Sequence, residues 1–272
     1  MTNAISPPVA TEKQLTTDAY QLLRATKPWG HPNTPDILHS RVLPYATYSP
    51  WLNDATFLEI YELIRSHTLV DVYRCYELWC LGQQARTVTG DILEVGVWRG
   101  GTGVLLAKAV ESSRKRVYLA DTFAGVVKAG KNDTSYKGGE HADTSRDIVE
   151  ILIAKANVPN TELLVGIFPD DTGDSVENSL ALLHIDVDVY ESAKSVFRWA
   201  VPRLSYGAVA VFDDYGFHGC EGVTRLVNEL RVSNEFLCFH NLNGHAVLLK
   251  RGISLPRVDT TGSLASARSS GR

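Results

Sequence analysis

The sequence lacks the features that mark membrane, secreted and nucleic-acid-binding proteins. It has no run of about 18 apolar residues, so it predicts no transmembrane helix. Its N-terminus lacks the basic-then-apolar order of a secretory signal, and its four cysteines are too few and too scattered for a disulfide framework. Its formal net charge of -4 provides no bulk positive charge for nucleic acid. We therefore expect a cytoplasmic protein with reduced thiols that binds neither a membrane nor nucleic acid.

The 272 residues are enough for one large domain with appended segments. Residues 1–50 are rich in Pro, Thr and Ala and predict an N-terminal arm, with one short helix near Asp18–Arg24. Residues 51–251 form the predicted domain, which begins with two helices that would cover its core. Residues 252–272 contain few large apolar residues and predict a disordered tail. The arm and the cover helices are candidates for a homo-oligomer interface.

From Asp91 onward, short apolar runs alternate with segments of helical periodicity. The runs are 91–97, 116–121, 161–168, 180–188 and 207–214, followed by 235–242 and 245–251. This alternation predicts a doubly wound α/β fold, with a mostly parallel seven-stranded sheet and helices on both faces. The Asn243-Gly244 pair between the last two runs predicts an antiparallel hairpin that closes one edge. The polar stretch 122–143 has no clear period and predicts a long loop.

A glycine-rich turn follows the first predicted strand. The segment EVGVWRGGTG, residues 94–103, is wider than the G-x-G-x-x-G turn of dinucleotide-binding proteins. Its glycines would let the backbone approach a ligand, and the amides at the start of the next helix favour a negative group. The wider turn favours S-adenosylmethionine, and Asp121, at the end of the second strand, could accept hydrogen bonds from a ribose. Arg99 is a candidate for the carboxylate of the methyl donor, with simple exposure to solvent as the alternative.

Two pairs of carboxylates end the fourth and fifth predicted strands. Asp186 and Asp188 are two residues apart, so on an extended strand they would point to the same side, and Asp213 and Asp214 end the next strand. If these strands are neighbours, four carboxylates meet and repel one another unless they are protonated or bind a cation. Oxygen ligands select Mg²⁺, Mn²⁺ or Ca²⁺, and softer metals are not expected because His184 lies deeper in the strand. Such an ion could hold and acidify a substrate hydroxyl while a nearby carboxylate takes the proton.

Four motifs, in this order, resemble the macrocin O-methyltransferase family. They are EVGVWRGG, DTFAG, HIDVDVYES and VFDDY, and the similarity covers residues 69–250. Members of that family methylate sugar hydroxyls on antibiotics such as mycinamicin and novobiocin precursors. The resemblance implies a class I methyltransferase-like Rossmann fold, S-adenosylmethionine and Mg²⁺ as cofactors, and a small hydroxylated acceptor, with a sugar of a natural product in antibiotic biosynthesis as the favoured one.

The resemblance also implies roles for individual residues. The implied Mg²⁺ ligands are Asp186, Asp213 and Asp214. The implied methyl-donor residues are Glu94, Gly96, Gly100 and Asp121. Asp188 falls where a general base is expected, and its role is not separated from that of Asp186. The chain departs from the family at Val187, where glycine is usual, at 126–127, where Leu-Pro is usual, and throughout the loop 128–143.

Four further residues are candidates for contact with the acceptor. They are His141, Tyr190, Tyr215 and His218. The two histidines could contact substrate or be exposed, and the two tyrosines, which each follow a carboxylate motif, could line the pocket or serve in packing.

Three other functions fit part of the pattern. A metal-dependent catechol-type O-methyltransferase, the closest alternative, would also place carboxylates on a cation at the strand ends. An NAD-binding oxidoreductase would need no metal, and the spacing of the glycine-rich turn counts against it. A binding module with a structural Ca²⁺ would leave that turn unexplained.

Overall fold

The structure is a computed structural model, and it describes residues 11, 13–15, 17–18, 29–31, 34–39, 48–241 and 243–252. Most of the short helix predicted near Asp18–Arg24 and nearly all of the predicted tail lie outside these residues. Within the first 50 residues, strands β1 (Trp29–His31) and β2 (Thr34–His39) pair antiparallel. Among the described residues, none belongs to a helix long and apolar enough to cross a membrane.

The central sheet has seven strands and is mostly parallel. In chain order they are β3 (Asp91–Val95), β4 (Val117–Asp121), β5 (Thr161–Val165), β6 (Leu180–Ile185), β7 (Leu204–Phe212), β8 (Phe236–His240) and β9 (Ala246–Lys250). They lie side by side in the order β5-β4-β3-β6-β7-β9-β8. Strands β3 to β7 are parallel, and β9 runs antiparallel to both β7 and β8. The predicted doubly wound sheet and its closing hairpin are therefore confirmed.

Six α-helices of the described residues cover the two faces of this sheet. They are α1 (Ala55–Ile64), α2 (Val72–Ala85), α3 (Gly101–Ala109), α4 (Arg146–Ala156), α5 (Tyr190–Ala200) and α6 (Glu221–Leu230). Helices α1 to α4 contribute to one apolar core, which includes Phe57 and Leu105. Helices α5 and α6 contribute to a second, which includes Phe197 and Phe212. Strands β3 and β6 are buried along their whole length, which explains why, apart from Asp91, Glu94 and His184, their residues are apolar without alternation.

Several strands end earlier than the sequence predicted. Strand β6 ends at Ile185, before the first carboxylate pair, and β7 ends at Phe212, before the second. Asp188 and Asp214 have positive φ angles of 62° and 59°, so both carboxylate motifs lie in turns. The expectation that Asp186 and Asp188 share one side of an extended strand is therefore wrong. Burying an ionisable side chain is costly unless it is paired, and the left-handed residues instead turn the chain along the edge of the sheet at these carboxylates.

The order in which successive strands are added to the sheet changes side between β3 and β6, which makes this a topological switch point. The chain passes from β3 to β4 and β5 on one side, and then crosses back to add β6 and β7 on the other. In open α/β sheets, ligands bind outside the carboxyl ends of the strands at such a point. The glycine-rich turn after β3 and the carboxylates after β6 both lie there.

Candidate active site

A cavity of about 310 Å³ opens at the carboxyl edge of the sheet. Its volume lies at the lower end of the range for small-molecule sites, about 300–1,000 Å³. The residues predicted from the sequence that line it are Gly96, Asp121, His141, Asp186, Asp188, Asp213, Asp214 and His218. The cavity therefore brings the glycine-rich turn, both carboxylate pairs and both candidate histidines together.

Gly96 lets the turn after β3 lie directly against the end of β6. Its φ is +91°, and a Cβ atom on it would lie 1.6 Å from the carbonyl oxygen of Asp186. The amide of Asp186 donates to the carbonyl of Val95 at 2.9 Å, so this close approach is fixed by the pairing of the two strands. A side chain at this position would push the glycine-rich turn and the first carboxylate pair apart.

Asp121 holds the glycine-rich turn in place. Its Oδ2 accepts hydrogen bonds from the amides of Val97 at 2.7 Å and Trp98 at 2.8 Å, and its Oδ1 accepts from the amide of Phe123 at 2.7 Å. The amides of Val97 and Trp98 lie in the turn itself, ahead of the helix start whose amides were predicted to favour a negative group. A carboxylate has about four acceptor sites, so about one remains on Asp121 for a ribose hydroxyl.

Three residues assigned to the methyl donor lie outside the lining of the cavity. Glu94 is fully buried and lies 2.8 Å from His184. Arg99 forms an ion pair with Asp143 at 2.8 Å, so it joins the turn to the end of the long loop. Gly100 is the left-handed N-cap of α3, where a Cβ would lie 2.9 Å from the side chain of Val149. Each of the three positions therefore has a packing or pairing role in the structure.

The two candidate tyrosines also lie outside the lining. The hydroxyl of Tyr190 donates to Glu229 at 2.7 Å, and that of Tyr215 donates to Asn228 at 2.9 Å. Both hydroxyls are thereby tied to helix α6.

Arg74, on helix α2, reaches into the second carboxylate pair. Its Nη1 forms ion pairs with Asp213 and, at 3.3 Å, with Asp214. Its Nε donates to Asp71 at 2.9 Å, and Asp71 is also the N-cap that starts the helix. The guanidinium lies 4.9 Å from the ring centre of Phe217. The sequence analysis missed Arg74, because only the tertiary fold brings this helix against the end of β7.

Burial and mutual repulsion disfavour ionisation in most of the carboxylate cluster. Burial raises the pKa of Asp186 and Asp214 well above the usual value of an aspartate, and the neighbouring carboxylates raise it further. Burial also raises the pKa of Asp188. One guanidinium therefore does not offset the charge of the four carboxylates. The imbalance suits a bound divalent cation, because a cation restores the ionised form of buried carboxylates.

Asp213 differs from its neighbours because a guanidinium and two imidazoles lie beside it. Burial opposes its ionisation, but His245, Arg74 and His184 together hold the pKa of Asp213 below the usual value. Its Oδ2 is buried and has no hydrogen-bond partner among the described residues. That oxygen is available to a cation, and oxygen donors of this kind fit Mg²⁺ or Mn²⁺.

Asp188 faces the long loop that follows β4. The hydroxyl of Tyr136 donates to Asp188 Oδ1 at 2.7 Å, and His141 Nε2 lies 3.3 Å from the same hydroxyl. His218, which also lines the cavity, lies 3.4 Å from Glu221. Tyr136 was missed because this loop has no regular period from which its side-chain directions could be predicted. The candidate base is therefore oriented by a loop residue and lies beside one of the candidate acceptor contacts.

The chain matches the model of the family described as "Macrocin-O-methyltransferase (TylF)" over residues 65–240. It is 29% identical over 189 residues to the mycinamicin III 3''-O-methyltransferase of Micromonospora griseorubida, which covers 63% of this chain and 74% of that protein. It is 28% identical over 169 residues to the 8-demethyl-8-(2,3-dimethoxy-alpha-L-rhamnosyl)-tetracenomycin-C 4'-O-methyltransferase of Streptomyces olivaceus. That alignment covers 57% of this chain and 65% of the relative, which is less than two thirds of its length.

Two solved structures share the fold. The O-methyltransferase NovP superposes with a TM-score of 0.57 at 24% identity, covering 68% of this chain and 82% of that one. The calicheamicin methyltransferase CalS11 gives a TM-score of 0.57 at 18% identity, and the superposition covers 76% of this chain and 95% of CalS11. At these identities the superpositions show a common architecture, in agreement with the strand order described above.

Proposed function

The chain belongs to the macrocin O-methyltransferase family, and we propose that it methylates a hydroxyl of a small natural product, with a sugar as acceptor. The methyl donor is S-adenosylmethionine, and a divalent cation such as Mg²⁺ is the second cofactor. The observation that carries this proposal is a cavity that joins the glycine-rich turn to four carboxylates, of which Asp213 is buried and the other three are half-buried. The names of the two curated relatives support a glycosylated acceptor, because one of their substrates carries a rhamnosyl group.

The methyl donor would lie against the turn after β3. S-adenosylmethionine supplies an electrophilic methyl group on a positively charged sulfur. Gly96 keeps the backbone free of a side chain at this point, and Asp121 fixes the turn through the amides of Val97 and Trp98. The remaining acceptor site of Asp121 would take a hydrogen bond from a ribose hydroxyl.

The cation would be held by Asp186, Asp213 and Asp214. Mg²⁺ would supply a positive charge that holds the acceptor hydroxyl and lowers its pKa. Arg74 contacts one oxygen of Asp213 and leaves the other oxygen to the cation. The guanidinium thus orients this carboxylate and offsets part of its charge.

Asp188 would take the proton of the acceptor hydroxyl. We prefer it to Asp186 because the hydroxyl of Tyr136 fixes one of its oxygens. Its pKa, raised by burial, brings the carboxylate closer to the value that suits a general base near neutral pH. With the donor and the acceptor aligned, positioning supplies most of the rate enhancement.

The test is methyl transfer from isotopically labelled S-adenosylmethionine to a panel of glycosylated macrolide and aminocoumarin acceptors and one catechol, with Mg²⁺ or with excess EDTA. Transfer to a sugar hydroxyl that EDTA abolishes supports the proposal. Transfer to the catechol alone would assign the chain to the catechol class, and activity that survives EDTA would refute the cation. Asp214→Asn should abolish turnover and leave the calorimetric affinity for S-adenosylmethionine largely unchanged, whereas Asp147→Asn, on the exposed face of α4, should change neither.

The same calorimetry also tests the cofactor itself. We expect a binding signal with S-adenosylmethionine and none with NAD. Binding of NAD without binding of S-adenosylmethionine would refute the proposed reaction class.

A further inference from the structure

Two histidines lie buried behind the carboxylate cluster, outside the lining of the cavity. His184 is on β6 and His245 immediately precedes β9, and both side chains are fully buried. Their ring centres are 5.9 Å apart. Both lie beside Asp213, because β6 and β9 flank β7 on either side. The sheet therefore places two imidazoles and one carboxylate together in the interior.

Each imidazole is oriented by a glutamate. His184 Nδ1 lies 2.8 Å from Glu94, and His245 Nδ1 lies 2.6 Å from Glu77. Glu77 also accepts hydrogen bonds from the side-chain amides of Asn241 and Asn243. Because an ionised carboxylate can only accept, a neutral ring beside an ionised glutamate would carry its proton on Nδ1 and present a lone pair on Nε2. Histidines that bind metals are oriented by carboxylates in this way.

The two Nε2 atoms are buried in the interior of the protein. Neither has a hydrogen-bond partner among the described residues, and the same is true of Asp213 Oδ2. One ligand atom from each of His184, His245 and Asp213 lies within 4.8 Å of the others. His245 Nε2 is 3.5 Å from Asp213 Oδ1. Ligand atoms of a tetrahedral zinc site, with bonds of about 2.1 Å, are separated by ~3.4 Å, so a small contraction would close this group around a cation.

The charges around the group are also unbalanced. Three buried or half-buried carboxylates, those of Glu77, Glu94 and Asp213, face the single guanidinium of Arg74 when both imidazoles are neutral. In the interior of the protein, lone pairs on two neutral imidazoles and a carboxylate would repel one another. One divalent cation between them, or two further protons, would remove this repulsion.

We propose that His184, His245 and Asp213 bind a divalent transition-metal cation, with Zn²⁺ as the expected occupant. Imidazole nitrogen favours Zn²⁺, Co²⁺ and Ni²⁺, whereas Mg²⁺ and Ca²⁺ favour oxygen. The site joins α2, through Glu77, to strands β3, β6, β7 and β9, so its cation stabilises the sheet at the edge where the cavity opens. It shares Asp213 with the carboxylate cluster, and its existence does not depend on methyl transfer.

Cobalt titration of the full chain tests this site directly. The protein is purified without chelators, its metals are measured by inductively coupled plasma mass spectrometry, and it is then stripped and titrated with Co²⁺. We expect about one equivalent of bound transition metal and, with Co²⁺, the visible absorption of a tetrahedral site with nitrogen ligands. Excess Mg²⁺ should not displace it, and Zn²⁺ should. A folded, stripped chain that gives no such spectrum would overturn the proposal.

Variants locate the cation. His184→Asn and His245→Asn keep a donor near the position of Nδ1 and remove Nε2, so the Co²⁺ spectrum should disappear. Glu77→Gln should weaken Co²⁺ binding by about 10- to 100-fold, as loss of an orienting carboxylate typically does. His240→Asn removes an exposed imidazole of β8 and should change nothing, and Asp214→Asn should retain the spectrum. A spectrum that survives both buried-histidine variants and is lost in Asp214→Asn would instead assign the cation to the cavity.

Nitrogen NMR of the unmodified, metal-free chain distinguishes a metal from protons without any variant. Neutral rings with a proton on Nδ1 alone, shifting when Zn²⁺ is added, support the site. Protons on both nitrogens of both rings, unchanged by Zn²⁺, would show that two further protons remove the repulsion and would overturn it. Either result is independent of binding or turnover of S-adenosylmethionine, so this inference and the proposed function can fail separately.

Discussion

Replacement of Arg74 by methionine tests whether the carboxylate cluster needs a cation. Its guanidinium is 8% exposed and pairs with Asp213, whose side chain is 1% exposed. Removing one partner of a buried ion pair leaves an uncompensated charge and costs about 3–5 kcal/mol. We therefore expect Arg74→Met to lower the free energy of unfolding by about that amount in chelator-treated protein. A divalent cation should then replace the lost charge, and at 100 times its dissociation constant it would restore about 2.7 kcal/mol.

Urea unfolding at neutral pH, followed by tryptophan fluorescence with and without Mg²⁺, measures both effects. Mg²⁺ at a fixed concentration should stabilise Arg74→Met more than the parent chain, because the guanidinium no longer offsets part of the charge of Asp213. Arg86→Met is the matched control, since Arg86 follows the end of the same helix and donates to a neutral carbonyl, that of Ala109, at 2.6 Å. It should cost about 1 kcal/mol and respond to Mg²⁺ like the parent. A loss below about 1 kcal/mol in Arg74→Met, or no extra response to Mg²⁺, would refute the reasoning.

Three other substitutions probe the two halves of the cavity. Gly96→Ala should lower the free energy of unfolding by more than the ~1–3 kcal/mol that a strained φ alone costs, because its Cβ would also clash. Gly207→Ala is the control in the same urea assay: its φ is +81° and nothing lies within 4 Å of its Cβ, so it should show the strain without the clash. Asp121→Asn should weaken S-adenosylmethionine binding by about 10-fold or more in calorimetry, because an amide replaces one acceptor oxygen; unchanged affinity would exclude Asp121 from the site. Tyr136→Phe should lower kcat by about 10-fold and leave the KM for S-adenosylmethionine unchanged, because it frees the carboxylate that the hydroxyl orients; an equal loss in kcat and gain in KM would point to a binding role instead.

The architecture was predictable because it depends on local patterns. Apolar runs alternating with helical periodicity indicated the parallel sheet, and Asn243-Gly244 indicated the hairpin. The ends of the strands were less predictable, because apolar residues and carboxylates follow one another without a break in LALLHIDVD. The positive φ angles of Asp188 and Asp214 end the extended conformation there, and such angles cannot be inferred from the identity of aspartate alone.

The meeting of both carboxylate pairs at one edge was predictable because β6 and β7 are sequential parallel strands. The partners of these carboxylates were not predictable, because they come from segments that are distant in the sequence. Arg74 comes from a cover helix, Tyr136 from a loop without period, and His245 from the closing hairpin. The expectation that softer metals are excluded considered His184 alone. The antiparallel return of β9 brings the second imidazole beside it, which no local pattern predicts.

The central claim is that one cavity holds S-adenosylmethionine and a divalent cation side by side. A crystal structure of the full chain with S-adenosylhomocysteine and Mn²⁺, with the anomalous signal of manganese recorded, tests it most directly. We expect the adenosyl ligand between Gly96 and Asp121, and a manganese peak bound by Asp186, Asp213 and Asp214. An adenosyl ligand outside this cavity, or a cavity whose carboxylates contact only Arg74 at saturating Mn²⁺, would contradict the account.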